Sequence, residues 1–312
     1  AEYATKYPEE AKLWDEYFAK PDVTKIIDSE AYWAHENKAM ATRAVSGDII
    51  NKLKDVYPNL VGGSADLAPS NKTEMKGQGF FSATDRSGRN IHFGVREMAM
   101  TAITNGIYLH GGLNPYCATF FVFSDFMKPM IRLSSLMGLP VTFVLTHDSI
   151  GVGEDGPTHE PIEQLAMLRS IPNLNVFRPA DYTETAAAWA SAIGSEATPT
   201  AIVLTRQNLP QLEGSSKEVF KGGYILAEAA NKDKIDLIIL ASGSEVELAV
   251  GAKEELEKEG KSVRVVSVPC MDVFEAQSPE YIEEVLPSAV RTRLAVEAAN
   301  PMPWYKYVGL DG

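Results

Sequence analysis

The chain has 312 residues, 45% of them hydrophobic and 23% charged, with a formal net charge of -13. That length suits about two domains of ~150 residues, and the acidic balance argues against nucleic acid or an anionic membrane surface as a partner. No apolar run approaches the ~20 residues of a membrane span and no signal-peptide pattern opens the chain. The two cysteines, Cys117 and Cys270, stand far apart, so reduced thiols in a cytoplasmic protein are expected.

Residues 1–30 read as a helix that runs into a linker, with Pro8, Glu9 and Glu10 suited to a first helical turn. A longer helix is predicted over 31–54, ended by the turn at Pro58. Short apolar runs then alternate with helical patterns. Strands are predicted at 60–64, 114–121, 141–146, 175–177 and 200–205, and helices at 96–109, 124–137, 161–170 and 182–193. The alternation implies βαβ units and an α/β fold with a mostly parallel sheet flanked by helices. The polar stretch 207–222, with Pro210 and Gly214, breaks the rhythm and marks a domain boundary. A second α/β pattern follows, with strands at 236–241, 262–268 and 293–297 and a helix at 244–259. Ser244 and Glu247 have the spacing of a capping box there. The expected layout is an end of a preceding domain over 1–30, one domain over 31–210 and a second, incomplete one over 211–312. The start at Ala1 without methionine and the stop at Gly312 fit a fragment.

The densest polar loop follows the strand at 141–146 and carries His147, Asp148, Gly151, Gly153, Glu154, Asp155, Gly156 and His159. In a parallel sheet, ligands bind where loops leave the carboxyl ends of strands. The glycines form a G-x-G-x-x-G string, but Glu154 and Asp155 would face a pyrophosphate and Pro157 delays the helix that should hold it. A dinucleotide site is therefore disfavoured. Glu97 lies in Phe93-Gly-Val-Arg-Glu97, where a strand is expected to give way to a helix, and a carboxylate in a first helical turn is ordinarily explained by the helix dipole. Phe120, Phe123 and Phe126 recur every third residue, a spacing that ordinary core packing also explains. Arg43, Ser70 and Arg206 are scattered in sequence; together they offer the donors a phosphate monoester needs.

These residues resemble a known family. The stretch His147-Asp-Ser-Ile-Gly-Val-Gly-Glu-Asp-Gly-Pro-Thr-His159-Glu-Pro-Ile-Glu163 is similar to the signature of transketolases. Gly94-Val-Arg-Glu97, Gly62-Gly-Ser-Ala-Asp-Leu67, Ala41-Thr-Arg43 and Thr205-Arg-Gln-Asn-Leu-Pro210 follow the family's order. The resemblance covers nearly the whole chain. It implies the end of an amino-terminal diphosphate-binding domain, a pyrimidine-binding domain and most of a carboxy-terminal domain. The family's G-D-G…N motif for diphosphate and metal is absent.

The resemblance further implies thiamine diphosphate as cofactor, with Mg2+ or Ca2+ held by the missing amino-terminal half. Glu97 would hydrogen-bond ring nitrogen N1′ of the aminopyrimidine and favour its imino tautomer. Phe120, Phe123 and Phe126 would surround the ring, with Asp66 nearby; relatives often carry Tyr at the position of Phe126. Arg43, Ser70, His147 and Arg206 would hold a sugar phosphate, and Asp155 and His159 would contact its hydroxyls, with His147 and His159 counted with Glu97 as catalytic. The expected reaction moves a two-carbon ketol unit from a ketose phosphate to an aldose phosphate in the pentose phosphate pathway. The expected partners are a second copy, as a homodimer, and the amino-terminal half, without which the chain is expected to be inactive. Two other readings stay open: a related thiamine enzyme such as dihydroxyacetone synthase, and a catalytically silent assembly module.

Overall fold

Short, largely apolar runs of three to seven residues, separated by helical segments able to cross back over a sheet, form the parallel strands of the first sheet with helices on both faces. The computed structural model describes residues 2–312; Ala1, the first position of the expected leading segment, lies outside them. The strands in chain order are β1 (Met40–Ala41), β2 (Leu60–Ser64), β3 (Asn114–Phe120), β4 (Thr142–Thr146), β5 (Asn175–Phe177), β6 (Thr200–Leu204) and β7 (Asn208–Leu209). Beyond them come β8 (Tyr224–Ala227), β9 (Leu237–Ala241), β10 (Val263–Ser267) and β11 (Arg293–Val296).

The first domain is built on a five-stranded sheet of order β2-β3-β4-β6-β5, parallel throughout. Its strands are buried on both faces. On one, Ile49, Leu53, Trp189 and Ile193 from helices Thr42–Val56 and Tyr182–Gly194 pack on Tyr116, Val144 and Ile202. On the other, Met100, Met127, Ile131 and Leu168 pack on Cys117, Phe143 and Val203. Gly63 lets the crossing segment lie against β2, since a Cβ there would stand 1.9 Å from the carbonyl oxygen of Ile91.

The second sheet has order β11-β9-β10-β8, with β8 antiparallel to β10 and the other pairs parallel. Three strands were expected there; the fourth, β8, is a four-residue edge strand too short to carry a visible alternation. Both cysteines are buried and free. Among the described residues no helix is long and apolar enough to cross a membrane.

Three expectations need correction. The helix predicted over 31–54 is two elements, Glu30–Trp33 and Thr42–Val56, with β1 between them. The Lys52 ammonium donates to the carbonyls of Ala31, Tyr32 and Ala34, which a continuous helix would have consumed. The segment before Glu97 is irregular rather than a strand. Ser244 makes no capping bond; its hydroxyl turns instead to Glu245 and accepts from Arg178.

Candidate functional site

The carboxyl ends of four adjacent strands deliver the predicted residues to one edge of the first sheet. Asp66 follows β2, Phe120 ends β3, His147 follows β4 and Arg206 follows β6. Arg43, in the first turn of helix Thr42–Val56, reaches the same edge through a hydroxyl clamp. The Thr42 amide donates to the Thr205 hydroxyl at 3.0 Å, and the Thr205 amide donates to the Thr42 hydroxyl at 2.8 Å. Residues 163 positions apart are thus locked together, and their neighbours Arg43 and Arg206 with them. Burial and then the charge of Arg206 lower the Arg43 pKa. Two guanidiniums held near each other against their repulsion have the donors and charge that an anion would pair with.

His147 is only 3% exposed and adopts a left-handed backbone, φ +63°, uncommon for a non-glycine residue. The turn folds its ring back onto the preceding Thr146 hydroxyl, 2.8 Å from Nδ1. Nε2 lies 3.2 Å from Nη1 of Arg43, and Nη1 also donates to the Ser70 carbonyl at 2.9 Å. The carbonyl of Ser70 rather than its hydroxyl therefore meets Arg43. Burial, and next the Arg43 guanidinium, depress the His147 pKa to about 4, so the ring is neutral at pH 7.

Phe120 stacks on the His147 ring with centroids 3.6 Å apart. From there an aromatic ladder climbs through Phe123 and Phe126 in two steps of 6.3 Å, with the rings within 28° of parallel. It arises because Phe120 ends a strand, Phe123 lies in a 3-10 turn and Phe126 in the helix Ser124–Met137. His159 sets its edge against Phe120 and Phe123. Phe126 is 58% exposed, so the ladder ends in an open aromatic surface rather than in core. Asp155 is exposed on the same loop and acts electrostatically on both Arg43 and His147. Asp66 also has a left-handed backbone, φ +64°, and an exposed side chain.

Glu97 opens the helix Glu97–His110, which packs on β3 and on helix Ser124–Met137. Its half-buried carboxylate has no hydrogen-bond or ion-pair partner among the described residues. An aromatic slot with an unclaimed acceptor on the neighbouring helix fits an aminopyrimidine ring. Among the described residues no group of His, Cys, Asp and Glu is placed to hold a metal ion.

Asp148, next to His147, does different work. It accepts from Arg178 at 2.9 Å and is buried. Arg178, beyond β5 and fully buried, also donates to the Ser242 carbonyl and to Glu245 of the second domain. Glu297 completes the cluster, taking two bonds from Arg169 at 2.7 and 2.8 Å. Burial alone would raise the Glu297 pKa, but Arg169 and Arg178 outweigh it and hold it at about 2. Gly243 gives the guanidinium its place, since a Cβ there would come within 2.8 Å of Arg178. Arg178 carried no signal in the sequence, because its partners lie 30, 64 and 67 residues away. Asn71 and Thr146, buried behind His147, were equally silent.

Fold and site together define an α/β pyrimidine-binding domain joined to a second α/β domain. The family model described as "Transketolase, pyrimidine binding domain" matches residues 38–211, and "Transketolase-like TK C-terminal domain" matches 222–312. The chain belongs to the transketolase family. It is 55% identical to the transketolase of Halalkalibacterium halodurans over 316 aligned residues, covering 100% of this chain and 47% of that protein. The chain thus spans about half the length of the curated relatives it matches. A transketolase structure from Pichia stipitis in complex with sedoheptulose 7-phosphate superposes with a TM-score of 0.87 at 45% identity, over 98% of this chain and 46% of that one. A split-gene transketolase, described as an inactive β4 tetramer, superposes with a TM-score of 0.65 at 26% identity, over 83% of this chain and 80% of that one.

Proposed function

We propose that this chain is the carboxy-terminal half of a transketolase, transferring a two-carbon ketol unit from a ketose phosphate such as xylulose 5-phosphate to an aldose phosphate such as ribose 5-phosphate. The observation that carries the reading is the continuous strip from the Arg43–His147–Arg206 cluster to the Phe120–Phe123–Phe126 ladder, an anion site adjoining an aromatic slot. Domain limits at 31–210 and 211–312 go with it. Thiamine diphosphate, when bound, supplies the electron sink for making and breaking the carbon–carbon bond. Phe120, Phe123 and Phe126 hold its aminopyrimidine ring, with Asp66 beside them, and Glu97 accepts the proton contact at ring nitrogen N1′. Arg43 and Arg206 take the sugar phosphate, with Ser70 and His147 beside them, while Asp155 and His159 meet substrate hydroxyls near the reacting carbons. The divalent metal, Mg2+ or Ca2+, belongs with the diphosphate in the amino-terminal half.

The sugar phosphate in the Pichia stipitis structure supports this substrate class. The split-gene neighbour, inactive as a tetramer of one chain, supports inactivity of this half alone. Met98, Ile103, Leu109, Leu133, Leu136 and Met137 expose an apolar face on the helices Glu97–His110 and Ser124–Met137. That face supports a two-fold homodimer burying more than the ~1,600 Å² of a standard interface; sedimentation should find dimers at micromolar concentration, and monomers alone would refute it. The free buried cysteines are in keeping with a cytoplasmic location. The deciding experiment mixes the chain with its amino-terminal half, thiamine diphosphate and Mg2+. Ketol transfer is expected from the mixture and not from either half. Full turnover by this chain alone, or none by the mixture, would reject the reading.

A further inference from the structure

Behind His147 runs a buried polar chain whose direction can be read from its Arg43 end. Arg43 has only donors, so His147 Nε2, 3.2 Å from its Nη1, is the acceptor. The neutral ring therefore carries its hydrogen on Nδ1, which donates to the Thr146 hydroxyl at 2.8 Å. Thr146 passes its own hydrogen to Asn71 Oδ1 at 2.6 Å, and the Asn71 amide donates to the Ser64 hydroxyl at 3.1 Å. Ser64 closes on the Thr73 hydroxyl at 2.7 Å. Ser64, Asn71, Thr73, Thr146 and His147 are all buried. In such surroundings an unmade bond is costly, so the chain has one low-energy arrangement. At its open end both hydrogens of Arg43 Nη1 are engaged, by His147 and by the Ser70 carbonyl. The Nε and Nη2 groups have no partner among the described residues.

We propose that Thr146 and Asn71 are positioning residues that fix His147 as the Nδ1–H tautomer and thereby aim Arg43, leaving its Nε and Nη2 hydrogens for two oxygens of a phosphate monoester. The aiming rests on the phosphate reading above; the tautomer does not. His147 in this arrangement orients the guanidinium and exchanges no proton with the substrate.

The test uses the whole chain labelled with 15N at histidine and arginine, read at pH 7 by long-range proton–nitrogen correlation for the imidazole and by one-bond correlation for the guanidinium Nε. Wild type is expected to show the protonated nitrogen of His147 at Nδ1. Thr146→Val removes the acceptor, so the hydrogen should move to Nε2, where it meets the Nη1 donor and turns the Arg43 guanidinium away, and affinity for inorganic phosphate should fall roughly fivefold, as for one lost oriented contact. Thr146→Ser restores the hydroxyl and should restore both, which separates positioning from mere packing. A wild-type His147 protonated at Nε2 overturns the proposal, as does a Thr146→Val tautomer unchanged from wild type. Absence of any phosphate-dependent shift at Arg43 Nε in wild type would overturn the aiming alone. Loss of ketol transfer in the reconstituted enzyme with the tautomer intact would instead count against the proposed function.

Discussion

At the scale of single residues, the site divides into groups for the ring and groups for the anion, and two substitutions in the reconstituted enzyme separate them. Glu97→Gln keeps the shape of the side chain but removes the carboxylate, so kcat should fall by ~10²–10⁴ while KM for sugar phosphates barely moves. Arg206→Ala removes a charge-assisted contact worth roughly 1.5–3 kcal/mol; KM for phosphorylated sugars should rise, with little change for hydroxypyruvate. Steady-state kinetics with both donors checks the pair. Acid–base behaviour offers a third test, away from the site. Glu184 is fully buried, and burial first, then the Asp181 carboxylate, raise its pKa to about 7 against an ordinary 4.5. The folded chain holds this proton more tightly than the unfolded one. Its contribution to stability is therefore complete below pH 4.5 and is lost as pH rises through 7. Glu184→Gln should flatten the fall in unfolding free energy between pH 5 and 8, as urea titrations would show. His147, with its pKa depressed to about 4, has the opposite sign: its contribution is present above the ordinary 6.5 and is lost as pH falls toward 4.

At the scale of elements, the clamp between helix Thr42–Val56 and the end of β6 does for the anion site what neither segment does alone. Thr42→Val removes a hydroxyl that donates, accepts and is fully buried. The cost should be about 1–3 kcal/mol in unfolding free energy, with weaker phosphate binding because Arg43 and Arg206 are no longer held in step. Elements were legible in the sequence wherever a run was long and periodic. The strands at 60–64 and 175–177 and the helix at 124–137 lie where periodicity placed them, and others ended within a residue or two. The helix start was misplaced at Ala31 because residues 31–54 are locally compatible with helix. Its break depends on β1 pairing with β7, whose partner Leu209 for Met40 lies far along the chain. The capping box failed for a similar reason, since Arg178 competes for Ser244 from another domain. At the site, the loop 147–159 and the Phe triplet were visible as density and spacing. The supports of His147 were not, because Asn71 and Thr146 look like ordinary turn and strand residues until the fold brings them together.

At the scale of the whole molecule, the two sheets are joined by charge as well as by apolar packing. Arg178 touches Asp148 of the first domain and Ser242, Ser244 and Glu245 of the second. Three carboxylates in that cluster depend on two guanidiniums, and removing one leaves buried charge unpaired. Arg178→Met should therefore cost about 3–5 kcal/mol. Calorimetry should then show two thermal transitions, against one expected for wild type, because the sheets would no longer melt together; a single transition at an unchanged midpoint would contradict this role. The cluster also gives the joint between domains its own response to temperature. Hydration of charged groups becomes less favourable on heating, so the penalty for keeping Arg178 and its carboxylates out of water shrinks as the solution warms. Apolar contacts weaken on cooling. Chilling is thus the direction in which the seam beside His147 loosens first, and warmth tightens it relative to the sheets on either side.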